Sequence, residues 1–172
     1  IGILAASHHP GDTRLALTRC QMETGMVWEQ RWHPLRREWV IISSHRNERP
    51  WHGERVPEAG RGRALPAYAP DCYLCPGNVR SSGQRNERYS GVFVFDNDHP
   101  CVGPGAPSSL PPPPAAVYRN SAATGCARVV CYTPRHDLTL AQLPEPEVLG
   151  LLQALQAQYR ELGDRDDVRH VL

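Results

Sequence analysis

The sequence contains no apolar run long enough to cross a bilayer as a helix, which excludes a membrane-spanning segment of that kind. It also has almost no net charge, +1 at pH 7, so bulk attraction to nucleic acid is not indicated. Phosphate-cradling glycine motifs are missing: Gly60-Arg61-Gly62 is followed by neither a P-loop lysine and serine nor Rossmann spacing. No Ser-His-Asp or Cys-His nucleophile can be assembled from spacing. The opening run Ile1 to Ser7 is apolar but short and has no basic leader, which argues against a secretory signal. Cysteine is sparse for the length, with six residues at 20, 72, 75, 101, 126 and 131, too few for a disulfide scaffold. Only Cys72 and Cys75 are closely spaced. That pattern suits a metal or redox site in a reducing cytoplasm, and cytoplasmic location is the expectation.

What is present suits one domain, or most of one. Glu38-Trp39-Val40-Ile41-Ile42-Ser43 is β-branched and aromatic and predicts a strand. Gly91 to Phe95 and Ala127 to Tyr132 predict two more, and His170-Val171-Leu172 looks like the beginning of another. Residues 53 to 71 are rich in glycine, proline and charge and predict an irregular connection. The proline run Pro111 to Pro114 predicts a surface loop; a ligand for aromatic grooves is the other reading. Residues 144 to 163 carry the clearest helical pattern, with Val148, Leu152, Leu155, Tyr159 and Leu162 on one face, expected to pack into the core. Strands first and a covering helix late predict an α+β fold around an antiparallel sheet.

Three groups of residues carry chemistry. Cys72-x-x-Cys75-Pro76-Gly77 can form a knuckle in which two thiolates grip one tetrahedral ion. His136 is the best third ligand by position, with His33, His52, His99, Cys101, Cys126 and Cys131 as competitors; two buried thiols or a redox pair is the plainer reading. Arg46 and Arg49 can converge on one phosphate, or simply be solvated in a loop. Asp96-Asn97-Asp98 ends an aromatic strand, where an aspartate can accept ribose hydroxyls, an asparagine can read a base edge and Phe95 can stack on the base. Turn chemistry alone also explains those residues.

The order of these pieces is more specific than any one of them. Arg31-Trp32-His33-Pro34-Leu35 leads to Glu38 to Ser43, then His45-Arg46-x-x-Arg49-Pro50-Trp51, Cys72-x-x-Cys75-Pro-Gly-Asn78-Val79-Arg80, Phe95 to Asp98, and Arg128-Val129-Val130-Cys131-Tyr132-Thr133-Pro134-x-His136. This set resembles the galactose-1-phosphate uridylyltransferases of the histidine-triad superfamily. The resemblance implies a histidine-triad-like antiparallel half-barrel with a covering helix, truncated in this chain. It implies residues 26–172 as an N-terminal domain incomplete at its C-terminal end, after a disordered or non-family extension at 1–25. It implies zinc as cofactor on Cys72, Cys75 and His136, and substrate contacts from Arg46, Arg49, Ser81, Phe95, Asn97 and Asp98, the two arginines reaching across from a neighbouring subunit. The implied partners are UDP-glucose, galactose 1-phosphate and a second copy of the chain, with neither nucleic acid nor membrane. The implied chemistry is uridylyl transfer through a covalent uridylyl-histidine. The nucleophile belongs to a His-Pro-His motif that these 172 residues do not contain, so the chain alone is expected to be inactive. Departures include His33 in place of asparagine, Glu48 where a basic residue is common, and Ser121 to Gly125 without the family's arginine. A nucleotidyl-sugar phosphorylase reading adenine, and a non-enzymatic zinc-stabilised module, are the alternatives.

Overall fold

A computed structural model describes residues 28–43, 46 and 65–172, together with the backbone of 2–7. Cys20, Glu48, Arg49 and His52 fall outside the described residues, as does 8–25 of the stretch expected to be disordered. Among the described residues are seven strands and one long helix: β1 Gly2–Ser7, β2 Trp28–His33, β3 Glu38–Ser43, β4 Phe93–Asp96, β5 Asn120–Ala122, β6 Gly125–Cys131, α1 Glu145–Gly163 and β7 His170–Val171. They form two sheets, β4-β6-β1-β7 and β3-β2-β5, in which every strand pair is antiparallel. The α+β expectation therefore holds at the level of antiparallel sheets and one helix.

The strand expected at Glu38 to Ser43 is present with those bounds, and the other two appear as β4 and β6. Three strands, β1, β2 and β5, had no sequence expectation. In β2, Trp28, Gln30 and Trp32 alternate with Glu29, Arg31 and His33. Trp32 lies opposite Trp39 on β3, with ring centroids 5.7 Å apart, and the Arg119 guanidinium covers Trp32 at 4.2 Å. Such aromatic cross-strand pairs stabilise a register that a short polar-aromatic run does not announce. The first residues are a correction. Gly2–Ser7, expected to be poorly ordered, pairs residue for residue with β6 from Gly2↔Val130 to Ser7↔Gly125. A six-residue apolar run shows no period by itself, but β6 offers it an edge whose backbone groups need partners.

Strand β6 forms the centre of the larger sheet, and its Ala127, Val129, Val130 and Cys131 are buried. A second cluster gathers Trp28, Val102 and Ala123, with Cys101 and Ala106 against it, and the Trp28 indole donates to Pro100 O at 3.1 Å. Gly103 lies against this indole. A Cβ added there would fall 2.5 Å from ring atoms of Trp28. Gly103→Ala is therefore expected to lower stability by about 1–3 kcal/mol through overpacking, seen as a lower denaturant midpoint with unchanged slope.

Helix α1 starts after Pro144, carries Glu145 and Glu147 in its first turn and Arg160 in its last, each placed favourably for the helix dipole. Its inward face differs from the one expected. Leu151 and Leu162 are the buried residues, whereas Leu152 and Tyr159 are exposed at 57% and 58%. Val148, Leu155 and Leu162 of the expected stripe do face inward, while Leu151 and Gln158 replace Leu152 and Tyr159 beside them, which shifts the inner face by about 40° at about 100° per residue.

Arg128 of β6 fastens the helix to the sheet through Glu161 at 2.6 and 2.8 Å and a bond to Gln158, with Asp96 of β4 at 3.4 Å. The hydrogen bond from Arg128 holds the Glu161 carboxyl below its ordinary 4.5, and Arg31 does the same for Glu29. A lowered folded-state value means that the stabilisation is fully present above pH 4.5 and is lost as pH falls through the lowered values. Acid unfolding is therefore expected to steepen below that pH. Glu161→Gln should flatten the profile slightly, since this carboxylate is half exposed, in a urea midpoint series across pH.

Candidate functional site

Two adjoining arrangements occupy the segment between residues 67 and 99. The first is a turn at Cys72 to Cys75. Cys72 N donates to Ala69 O at 3.1 Å, Cys75 N to Cys72 O at 3.2 Å and Asn78 N to Cys75 O at 3.2 Å. Gly77 closes the turn with φ +77°, a conformation that glycine adopts without a Cβ penalty. The chain beyond β6 folds back to it, and His136 N donates to Ala67 O at 2.9 Å. This brings Cys72, Cys75 and His136 together, with their donor atoms all within 4.8 Å of one another. The Cys75 Sγ to His136 Nδ1 distance is 3.6 Å. Tetrahedral zinc with bonds of about 2.3 Å to sulfur and about 2.0 Å to nitrogen sets these atoms about 3.5 Å apart, so the donor set fits that ion. Burial pushes the Cys75 thiol up from its ordinary value, which disfavours a thiolate unless a cation compensates it.

The second arrangement centres on Asp98. Residues 79 and 85 bridge, and the tip between them turns through Gly83 at φ +83°. The tip delivers Ser81 Oγ at 3.2 Å and Ser82 N at 3.4 Å to Asp98 Oδ2, while His99 Nε2 lies 3.1 Å from Ser81 Oγ. The other oxygen, Asp98 Oδ1, is 3.5 Å from Arg80 Nε. Arg80 is buried, bonds Gln84 through Nη2, and lays its guanidinium 4.1 Å over the Phe95 ring. Phe95 continues into Phe93 at 5.4 Å and Phe93 into Tyr89 at 4.9 Å. Chemically, this is a fixed carboxylate with hydroxyl and amide donors beside it, backed by a cation and an aromatic row.

A family model described as "Galactose-1-phosphate uridyl transferase, N-terminal domain" matches residues 19–172. The chain belongs to this family. It is 38% identical over 133 residues to a galactose-1-phosphate uridylyltransferase of Rattus norvegicus, covering 77% of this chain and 34% of that protein. A Haemophilus influenzae protein of the same name is 38% identical over 136 residues, covering 78% of this chain and 38% of its own length. Among solved structures, one titled "Structure of uridylyltransferase" matches with TM-score 0.50 and 24% identity, covering 79% of this chain and 36% of that one, a likeness of fold. The chain thus spans about a third of the length of these relatives.

Set against the galactose-1-phosphate uridylyltransferase pattern, the fold gathers the three expected metal donors into one group. Of the described competitors, His33 accepts from Arg36 N, His99 neighbours Ser81, and Cys101 and Cys126 pack in separate clusters, whereas Cys131 is buried on β6 near enough to interact with Cys72 and Cys75 but outside the three-donor group. Ser81, Phe95, Asn97 and Asp98 fall in the second arrangement, with two qualifications. Asn97 Oδ1 accepts from His99 N at 2.9 Å, which is turn chemistry, and Arg80 takes one face of Phe95. Arg46 is half-buried, and among the described residues no hydrogen bond or ion pair joins it to Asp98. Arg80, Asn78, Asn86 and Tyr89 went without a role in the sequence reading. Asn78 and Arg80 appeared only as part of the quoted motif after the knuckle, and Asn86 and Tyr89 carried no signal, since their contacts depend on how the chain turns back on itself.

Proposed function

We propose that this chain is the nucleotide-binding and metal-carrying part of an enzyme that moves a uridylyl group between UDP-glucose and galactose 1-phosphate. In this reading a histidine attacks the α-phosphorus of UDP-glucose, a phosphorus–nitrogen bond forms, and glucose 1-phosphate leaves. A phosphate oxygen of galactose 1-phosphate then attacks the same phosphorus, releasing the histidine and UDP-galactose. Nucleophilic catalysis of this kind replaces one hard step by two easier ones. No His-Pro-His sequence occurs in the 172 residues, so the nucleophile comes from outside them.

The residues present would bind and orient. Asp98 has lone pairs left after its contacts with Arg80, Ser81 and Ser82, and would accept the ribose hydroxyls. Ser81 and Asn97 would border the uracil, and Phe95 would back it on the face away from Arg80. Arg46 and Arg49 would meet the diphosphate of a neighbouring subunit, in a cytoplasmic homodimer built on a histidine-triad half-barrel. Cys72, Cys75 and His136 would hold zinc, which supplies a crosslink between the knuckle and the loop after β6. Among the described residues no helix is long and apolar enough to cross a membrane, in keeping with soluble sugar phosphates as substrates.

The observation that carries this reading is the Asp98 cluster beside a Cys-Cys-His group on a chain matched to the family over residues 19–172. The test is a longer protein carrying the His-Pro-His segment, mixed with UDP-glucose and galactose 1-phosphate. Formation of UDP-galactose supports the assignment; activity only with an adenine nucleotide sugar would replace it. Turnover by the 172-residue chain alone would refute the placement of the nucleophile outside it.

A further inference from the structure

Four successive carbonyls of the knuckle are held by side chains from farther along the chain. Asn78 Nδ2 donates to Cys72 O at 2.8 Å, and also to Ala69 O at 3.0 Å. Asn86 Nδ2 donates to Tyr73 O at 3.0 Å and to Cys75 O at 3.1 Å. The Tyr89 hydroxyl donates to Leu74 O at 2.8 Å. The two asparagines are themselves joined, Asn86 N donating to Asn78 O at 2.9 Å. Turn carbonyls left at the surface are commonly satisfied by water. Here three side chains from three different positions are spent on one four-residue turn. The cost is visible at Asn86, which is 3% exposed and whose Oδ1 is buried without a hydrogen bond. Its amide cannot be turned round, since both partners of Nδ2 are acceptors.

Fixing a carbonyl fixes its peptide plane, and the planes at residues 72 to 75 set the directions of the two Cα–Cβ bonds that carry the thiols. We propose that Asn78, Asn86 and Tyr89 form a carbonyl clamp that preorganises Cys72 and Cys75 for a thiophilic divalent cation, acting as positioning residues for the metal. The inference rests on the metal reading given above. Outer-shell partners of this kind hold first-shell donors in place, and their loss typically lowers metal affinity by about 10–100-fold.

The test is cobalt(II) titration of the 172-residue protein and its variants against a competing chelator, read by sulfur-to-cobalt charge-transfer absorption. It is run well below each variant's melting temperature, with folding checked by circular dichroism. Asn86→Ala is expected to weaken cobalt binding by about 10–100-fold and Tyr89→Phe by a smaller factor. Tyr89→Phe removes only one hydroxyl and keeps the ring that stacks on Phe93, so it decides the matter if Asn86→Ala fails to fold. Variants that melt earlier but bind cobalt as tightly as the parent would show a merely structural role and overturn the clamp. Failure of the unsubstituted protein to bind cobalt would instead overturn the metal reading, and the clamp with it.

Discussion

Asp98→Ala is expected to cost about 3–5 kcal/mol of stability, because it strands a buried guanidinium. The side chains of Arg80 and Asp98 are only 8% and 11% exposed, and no other acid is paired with Arg80 among the described residues. Gln84 and the Phe95 ring contact Arg80 but do not neutralise it. Removing both charges, as in Arg80→Met with Asp98→Leu, should recover much of the loss, since a buried pair replaced by apolar groups is often nearly neutral. Denaturant melts of the two single variants and the double variant measure this directly. A loss below about 1 kcal/mol in Asp98→Ala would place the pair in the class of weak surface bridges. The result also governs how nucleotide binding is read. If Asp98→Ala abolishes binding, the cause is the ribose contact only where the variant remains folded. Asp98→Asn, which keeps an acceptor and the shape, separates the two.

Leu162→Ala is expected to cost about 2–5 kcal/mol, the range for truncating a fully buried leucine. Leu162 has no exposed surface and packs with Val171, Val168 and Cys126, tying α1 to β7 and to the edge of β6. Leu152→Ala, on the same helix and part of the face expected from sequence, should stay within about 0.5 kcal/mol for stability, since its side chain is 57% exposed. A loss at Leu152 as large as that at Leu162 would mean that Leu152 is buried, as the sequence stripe expected.

That pair of leucines marks where sequence reading stopped. The helix over residues 144 to 163 was legible because proline, acidic residues and a leucine period all agree, and Glu145–Gly163 is helical. Its inner face was legible only in part: Val148, Leu155 and Leu162 belong to it as expected, but helical spacing alone does not choose Leu151 and Gln158 over Leu152 and Tyr159. Only the position of Arg128 and β7 selects between them, with Gln158 and Glu161 turned to Arg128. Strand β3 was legible from its β-branched and aromatic run. Strand β1 was not, because a short apolar run becomes a strand only when an edge such as β6 is present.

The candidate site divides in the same way. Sequence alone determined the knuckle, since two cysteines three residues apart followed by Pro76-Gly77 restrict the local geometry enough to suggest a metal turn. It also determined family membership, because the order of motifs along a chain is a sequence property. Tertiary structure decided that His136, among the six described candidate third ligands, meets the knuckle at 3.6 Å, because the loop after β6 is anchored on Ala67. It decided that Arg80 holds Asp98 and covers Phe95, and that Asn78, Asn86 and Tyr89 grip the turn. These contacts join residues whose spacing follows no helical or strand period, so they arise only when the chain between residues 67 and 99 is folded back against β6.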